Sequence, residues 1–166
     1  VVDKDWFNKS MKITKEIQAA DIIPDPMPLE SALRGVKNIP SKAVKPLLTW
    51  LKNNKDAHVI GSFSESVFTK GKIKANDIDI AVPKPEKVLD ELTDILKTSG
   101  KQVRNDGKSV IEVYNNKSGL WEKAIDVDPL DWAKSIGLKT TNVEGVKIQT
   151  PASQVSNLLK RMTDNF

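Results

Sequence analysis

The sequence predicts an α/β protein: a small mixed, twisted β-sheet with helices packed mainly on one face, preceded by an N-terminal helical extension. Three observations carry that reading. Apolar, strand-like runs at 57–61 and 77–83 are separated by Gly61-Ser62 and a short helical segment. Amphipathic helical patterns occur at 42–54, 86–98 and 151–162, between strand-like stretches. Period-two alternation returns at 101–104, at 109–114 and around Asp126, divided by turns rich in Asn, Asp and Gly.

Taken in order, residues 4–20 place Trp6, Phe7, Met11, Ile13 and Ile17 at near-helical spacing. Pro24, Pro26 and Pro28 then force an extended connection. Residues 29–36 form a short helix. Ser41 is expected to cap a helix over 42–54, whose stripe is Val44, Leu47, Leu48 and Leu51; Pro46 is tolerated near its start. The strand at 57–61 gives way at Gly61-Ser62 to a helix through Phe63, Val67 and Phe68. Pro83 and Pro85 stop the strand at 77–83. The next helix buries Val88, Leu89, Leu92, Ile95 and Leu96, with Gly100 after it. Asn105-Asp106-Gly107-Lys108 joins two strands as a hairpin. Asn115 to Gly119 turns into a strand where Ile125 and Val127 face one way and Asp126 and Asp128 the other. A short helix from Asp131 ends near Gly137, and residues 145–149 form a further strand. Thr150 caps the last helix with Pro151 at its first position, and Val155, Leu158, Leu159 and Met162 form its apolar stripe.

At 166 residues the chain is expected to be a single compact domain, with 1–56 as an extension packed on a core of 57–166. It has no cysteine, which excludes disulfides and thiolate metal sites and suits a reducing, cytoplasmic setting. No apolar stretch reaches the length of a membrane span, so no membrane partner is expected. The start, Val1-Val2-Asp3-Lys4, is unlike a signal peptide; lacking Met, it reads as a trimmed chain or a piece of a longer one. A net charge of +4 permits a polyanionic partner without requiring one. The sequence gives no sign of oligomeric state.

The chemistry concentrates in Asn76-Asp77-Ile78-Asp79-Ile80-Ala81-Val82. Two carboxylates separated by one apolar residue share a side of a strand. Held that close they repel, and a divalent cation between them is the economical remedy; oxygen ligands favour Mg²⁺ or Mn²⁺ over zinc. An exposed edge strand is the plainer alternative, but Ile78, Ile80, Ala81 and Val82 read as buried. Asp126 offers a third ligand, with Asp128 as its backup. An EF-hand is excluded, because Asp126-Val127-Asp128-Pro129 lacks the glycine and closing Glu of that loop. Gly61-Ser62, where a strand meets a helix, offers free N–H groups and a hydroxyl to an anion; Ser62 could equally be a helix cap. Ser64 and Ser66 are weaker anion candidates. His58, the lone histidine, reads as structural. Trp6, Trp50, Trp121 and Trp132 read as core anchors, Trp132 being the one that closely follows the strand with the third carboxylate.

Gly-Ser, then Asp-x-Asp on the next strand, then an Asp on a later one resembles the signature of the DNA polymerase β-like nucleotidyltransferase superfamily. The likeness spans about 57–130 closely and 144–162 more loosely. Lys70, Lys72 and Lys74 stand in a gap slightly longer than usual between the turn and the aspartates. The resemblance implies a nucleotidyltransferase domain over 57–166. Asp77, Asp79 and Asp126 would be the catalytic carboxylates, holding two Mg²⁺ or Mn²⁺ ions. Gly61, Ser62, Ser66 and Lys160 would bind the nucleotide. An NTP such as ATP would pass its nucleoside monophosphate to an acceptor hydroxyl with release of pyrophosphate. The acceptor stays open between nucleic acid, protein and small molecule. The three lysines are either a basic rim for it or a solvated loop. Two other readings stand beside this one: a sugar-nucleotide transferase using Asp-x-Asp, and a non-catalytic nucleotide- or RNA-binding module of the same fold.

Overall fold

The computed structural model describes residues 23–164 together with Lys4, Asp5 and Asn8; the side chains of 157, 158 and 160–164 are outside that description. Lys4, Asp5 and Asn8 are helical, whereas Trp6 and the rest of the helix expected over 4–20 fall outside the described residues.

From residue 23 onward, the first helices are α1 (Leu29–Arg34) and α2 (Val44–Asn53), the second entered through a 3₁₀ turn at Ser41–Ala43. They are followed by β1 (His58–Ile60), α3 (Ser62–Phe68), β2 (Ile78–Val82) and α4 (Pro85–Lys97). A meander of β3 (Val103–Asn105), β4 (Val110–Asn115) and β5 (Leu120–Pro129) leads to α5 (Leu130–Ser135). The hairpin β6 (Thr140–Val143) and β7 (Val146–Gln149) precedes α6 (Pro151–Asp164). The strands form one seven-stranded sheet in the order β3-β4-β5-β2-β1-β7-β6. β2 runs antiparallel to β1 and parallel to β5, and β1 runs parallel to β7. The sheet is thus mixed, as the sequence predicts.

Alternation assigns the faces. Val59, Ile78, Ile80, Ile125, Val127 and Ile148 point into the main core, which also takes Leu33 of α1, Leu47 and Trp50 of α2, and Leu89, Leu92 and Leu96 of α4. Between them, Ile60 and Ala81 face the other side. There α5 supplies cover, through Leu130 and Ala133. Helices therefore lie mainly on one face, and the acidic residues of β2 and β5 belong to the sparsely covered one. The Leu29 N–H donates to Glu144 Oε2 at 2.8 Å, tying the start of α1 to the β6–β7 turn.

Most local signals hold. Thr150 Oγ1 accepts from the Ser153 N–H at 3.2 Å, as a cap should. Asp106 Oδ1 accepts from the N–H groups of Lys108, Ser109 and Val110, closing the predicted hairpin. Those bonds to the charged form hold its carboxyl below the usual range. Three expectations are corrected. Ser41 does not cap α2: the 3₁₀ turn intervenes, with Pro40 before it and no side-chain cap bond. β6 is an additional strand, too short and polar to stand out in the sequence. The tryptophans are not all core anchors. Trp50 is buried, but Trp132 is 39% exposed and Trp121 is partly buried on the open face. There Arg104 Cζ lies 4.2 Å from the Trp121 ring centroid and Tyr114 packs beside it.

Candidate active site

β1 ends at Gly61, whose φ of 75° and ψ of −154° suit only a residue without a side chain. Space demands the same. A Cβ here would run into Asp79 Oδ2, with Asp79 Cγ only 3.2 Å away. The turn is also clamped from the neighbouring strand β7 and from α6. Gln149, buried at the end of β7, accepts the Gly61 N–H through Oε1 at 3.0 Å. Its own Nε2 donates to Ser153 Oγ at 3.1 Å. Gln154 Nε2 and Ser64 Oγ both donate to the Gly61 carbonyl. Neither glutamine stands out in the sequence as part of the site; the β1–β7 pairing brings them there.

Gly61 is the residue before α3, and Ser62 is its first residue rather than its cap. Ser62 lines a cleft of about 760 Å³ together with Gly61, Asp79, Asp126, Asp128 and Trp132. Glu65, one turn along, lines it too, and burial raises its carboxyl above the usual range. Ser66 is placed differently. It is buried, its hydroxyl donates to Phe63 O at 2.7 Å, and it is not a wall of the cleft. Lys160 lies in α6, and its side chain is outside the described residues. Lys70, Lys72 and Lys74 are exposed, and Ile73 among them borders the cleft.

The carboxylates meet because β2 and β5 are parallel neighbours with Asp79 in register with Asp126 and Ala81 with Asp128. Asp79, Asp126 and Asp128 each bring an oxygen within 4.8 Å of the others. Asp77, just ahead of β2, is drawn to Lys123 instead, its Oδ2 lying 3.3 Å from Nζ. Lys123 Nζ is also 3.5 Å from Asp126 Oδ2. The four aspartates thus form one acidic group, with Asp128 inside the tight trio and Asp77 at its rim.

Lys123 shares that face because of a bulge. Ile111 pairs with Ile125 but Glu112 pairs with Lys123, so Ala124 is the extra residue on β5. Without it, residues three apart on a strand would point to opposite faces. Asn38 Nδ2 donates to the Lys123 carbonyl at 2.9 Å and pins the strand there. His58, at the start of β1, has an Nδ1 with no partner among the described residues, and burial lowers its pKa.

The electrostatics mark Asp79. Burial pushes its carboxyl up to about 7, and the charges of Asp77, Asp126 and Asp128 add to the shift against the opposing Lys123. A hard divalent cation fits this donor set: three carboxylate oxygens converge, and the deepest of them lacks enough positive charge to ionise at its ordinary pH.

No family model matches the chain, and no curated protein matches it. Among solved structures it is similar to the Megavirus polyadenylate synthase, at 19% sequence identity and a TM-score of 0.45. The match covers 90% of this chain and 30% of that one, so the chain spans less than a third of that protein's length. Among the described residues, no helix is long and apolar enough to cross a membrane.

Proposed function

We propose that this protein is a metal-dependent nucleotidyltransferase that moves a nucleoside monophosphate from an NTP to an acceptor hydroxyl, releasing pyrophosphate. The observation that carries the reading is the close packing of the Gly61 turn on Asp79, with Asp126 and Asp128 alongside in one cleft. A cleft of about 760 Å³ is of the size that small-molecule sites have.

Asp79 and Asp126, joined by Asp77 or Asp128, would hold Mg²⁺ or Mn²⁺, two ions in the full complex. Bound there, the metal would neutralise the triphosphate and acidify the acceptor hydroxyl. The protein's own residues do the rest. Ser62 offers its hydroxyl and N–H to the phosphates, beside a glycine whose bare Cα lets them approach. Trp132, Ile136 and Leu138 give the cleft an apolar wall against which a base can rest. Lys160 would add positive charge to the nucleotide, and Ser66 would act only by fixing α3. The acceptor oxygen attacks the α-phosphorus, the bond to the pyrophosphate oxygen breaks, and the acceptor proton passes by way of the Asp126 carboxylate to water. No protein nucleophile is called for, which suits a chain without cysteine. Nucleic acid is the first acceptor to test, then protein and small hydroxyl compounds.

The test is incubation with each of the four labelled NTPs, Mg²⁺ or Mn²⁺, and pooled RNA and protein. Label should enter a polymer or protein fraction only with metal, and Asp79→Ala should abolish it. Absence of transfer from every NTP, with NTP binding retained, would replace this reading with the non-catalytic module.

A further inference from the structure

We propose that Lys123 is a built-in counter-cation of the acidic cluster: it holds Asp77 and Asp126 when no divalent ion is bound, and the ion must displace it to gain Asp77. This rests on the metal reading of the cluster given above. Three features of the geometry point to it.

The ammonium is within ion-pair distance of two carboxylates at once, 3.3 Å from Asp77 and 3.5 Å from Asp126. Asp77 is the aspartate that the tight trio leaves out, so the lysine and a metal ion are alternative partners for it. Second, the position is built. The extra residue Ala124 turns Lys123 onto the acidic face, and Asn38 fixes the backbone of that bulge. The acid opposite it in register, Glu112, is taken by Arg104 at 2.9 Å, which leaves the aspartates as the ion-pair partners of Lys123. Third, the side chain is 44% exposed, against 17% for Asp77 and 23% for Asp126. A long, half-exposed side chain can swing into water on a flexible stem at little cost, whereas the carboxylates remain in place.

The ammonium and a divalent ion repel each other across these carboxylates, and the lysine stabilises the carboxylates when the ion is absent, so it lowers their affinity for the ion. Lys123 is therefore a positioning residue: it acts on the metal through Asp77 and Asp126. Its removal should change stability and ion affinity in opposite directions, which a simple loss of packing would not do.

The experiment is Mn²⁺ titration of metal-stripped protein at neutral pH, followed by calorimetry and by the electron paramagnetic resonance signal of free Mn²⁺. Melting curves are taken with and without the ion. Wild type is compared with Lys123→Met, Lys123→Gln, Lys123→Arg and Asp79→Asn. Lys123→Met should melt below wild type without metal, bind Mn²⁺ about tenfold more tightly, and gain more melting temperature from it. Lys123→Arg, keeping the charge, should stay close to wild type in affinity. Lys123→Gln should behave as the Met variant does, and supplies the same comparison if the Met variant fails to fold. Mn²⁺ that binds through Asp79 but with equal or weaker affinity in the uncharged variants would overturn the role of Lys123 alone. Mn²⁺ binding that is absent from wild type, or unaffected by Asp79→Asn, would overturn the metal reading and this inference with it.

Discussion

Asp79 is the residue on which the site turns. Its carboxyl titrates near 7 rather than at 3.8, because burial and three neighbouring aspartates oppose its charge. Between those two values the folded chain keeps a proton that the unfolded chain has lost. Without metal, Asp79 therefore contributes a fall in stability as pH rises through that window, levelling off above about 7. Asp79→Asn should abolish that part of the dependence and melt higher than wild type at pH 8 in chelator. Melting curves from pH 4 to 8 check this, and identical slopes would contradict it. Gly61 makes the complementary case. Any side chain there meets the Asp79 carboxylate and must adopt a backbone conformation that L-residues avoid. Gly61→Val should displace Asp79 and reduce NTP affinity in the presence of Mg²⁺ by tenfold or more, roughly the effect of one lost charge-assisted contact. Direct NTP titration measures it, and Ser62→Ala should show a smaller loss.

At the scale of elements, the Gly61 turn is rigid because β7 and α6 reach across to hold it. Gln149→Leu would leave the partly buried Gly61 N–H without its acceptor, at a cost of about 1 kcal/mol, and should weaken NTP binding as well. Denaturant unfolding and nucleotide titration of one variant test both effects. In α4, Leu92→Ala should cost about 2–5 kcal/mol while sparing NTP affinity, since Leu92 is fully buried on the helical face of the sheet, away from the acids. The sequence made much of this legible. Alternation in β2 and β5 separates Ile78, Ile80, Ile125 and Val127 from Asp79, Asp126 and Asp128, because the pleat has a strict period of two. α4 and α6 show their apolar stripes openly. What stayed hidden depends on pairing between distant segments. The bulge at Ala124 has no marker in Lys123-Ala124-Ile125, so Lys123 could not be placed on the acidic face. Gln149 reads as an ordinary strand-end residue until β7 lies beside β1. Thr140-Thr141-Asn142-Val143 is a strand because β7 needs a neighbour, not because its residues are apolar. The sequence leaves the third carboxylate open between Asp126 and Asp128; the parallel register brings both close to Asp79.

Across the whole molecule, the net charge of +4 is modest, and position matters more than total. Lys70, Lys72 and Lys74 are exposed on the connection that enters β2, beside the cleft. If the acceptor is RNA or DNA, replacing all three with Gln should weaken its binding and flatten the salt dependence, because each phosphate contact releases counterions. NTP affinity should be unchanged. Binding measured from low to moderate salt decides this, and negligible affinity for either polymer at low salt would move the search to protein or small-molecule acceptors. The order of the strands carries a consequence for biosynthesis. β1 lies inside the sheet, but its parallel partner is β7, which the ribosome delivers only after β2 to β6. Until then the nascent chain presents one flank of β1 as bare amides and carbonyls beside apolar Val59 and Ile60, a template for pairing with another chain. Emergence of Val146–Gln149 closes that flank and delivers Gln149 to Gly61 in the same event. Assembly of the Gly61 turn is thereby timed to the closing of that flank.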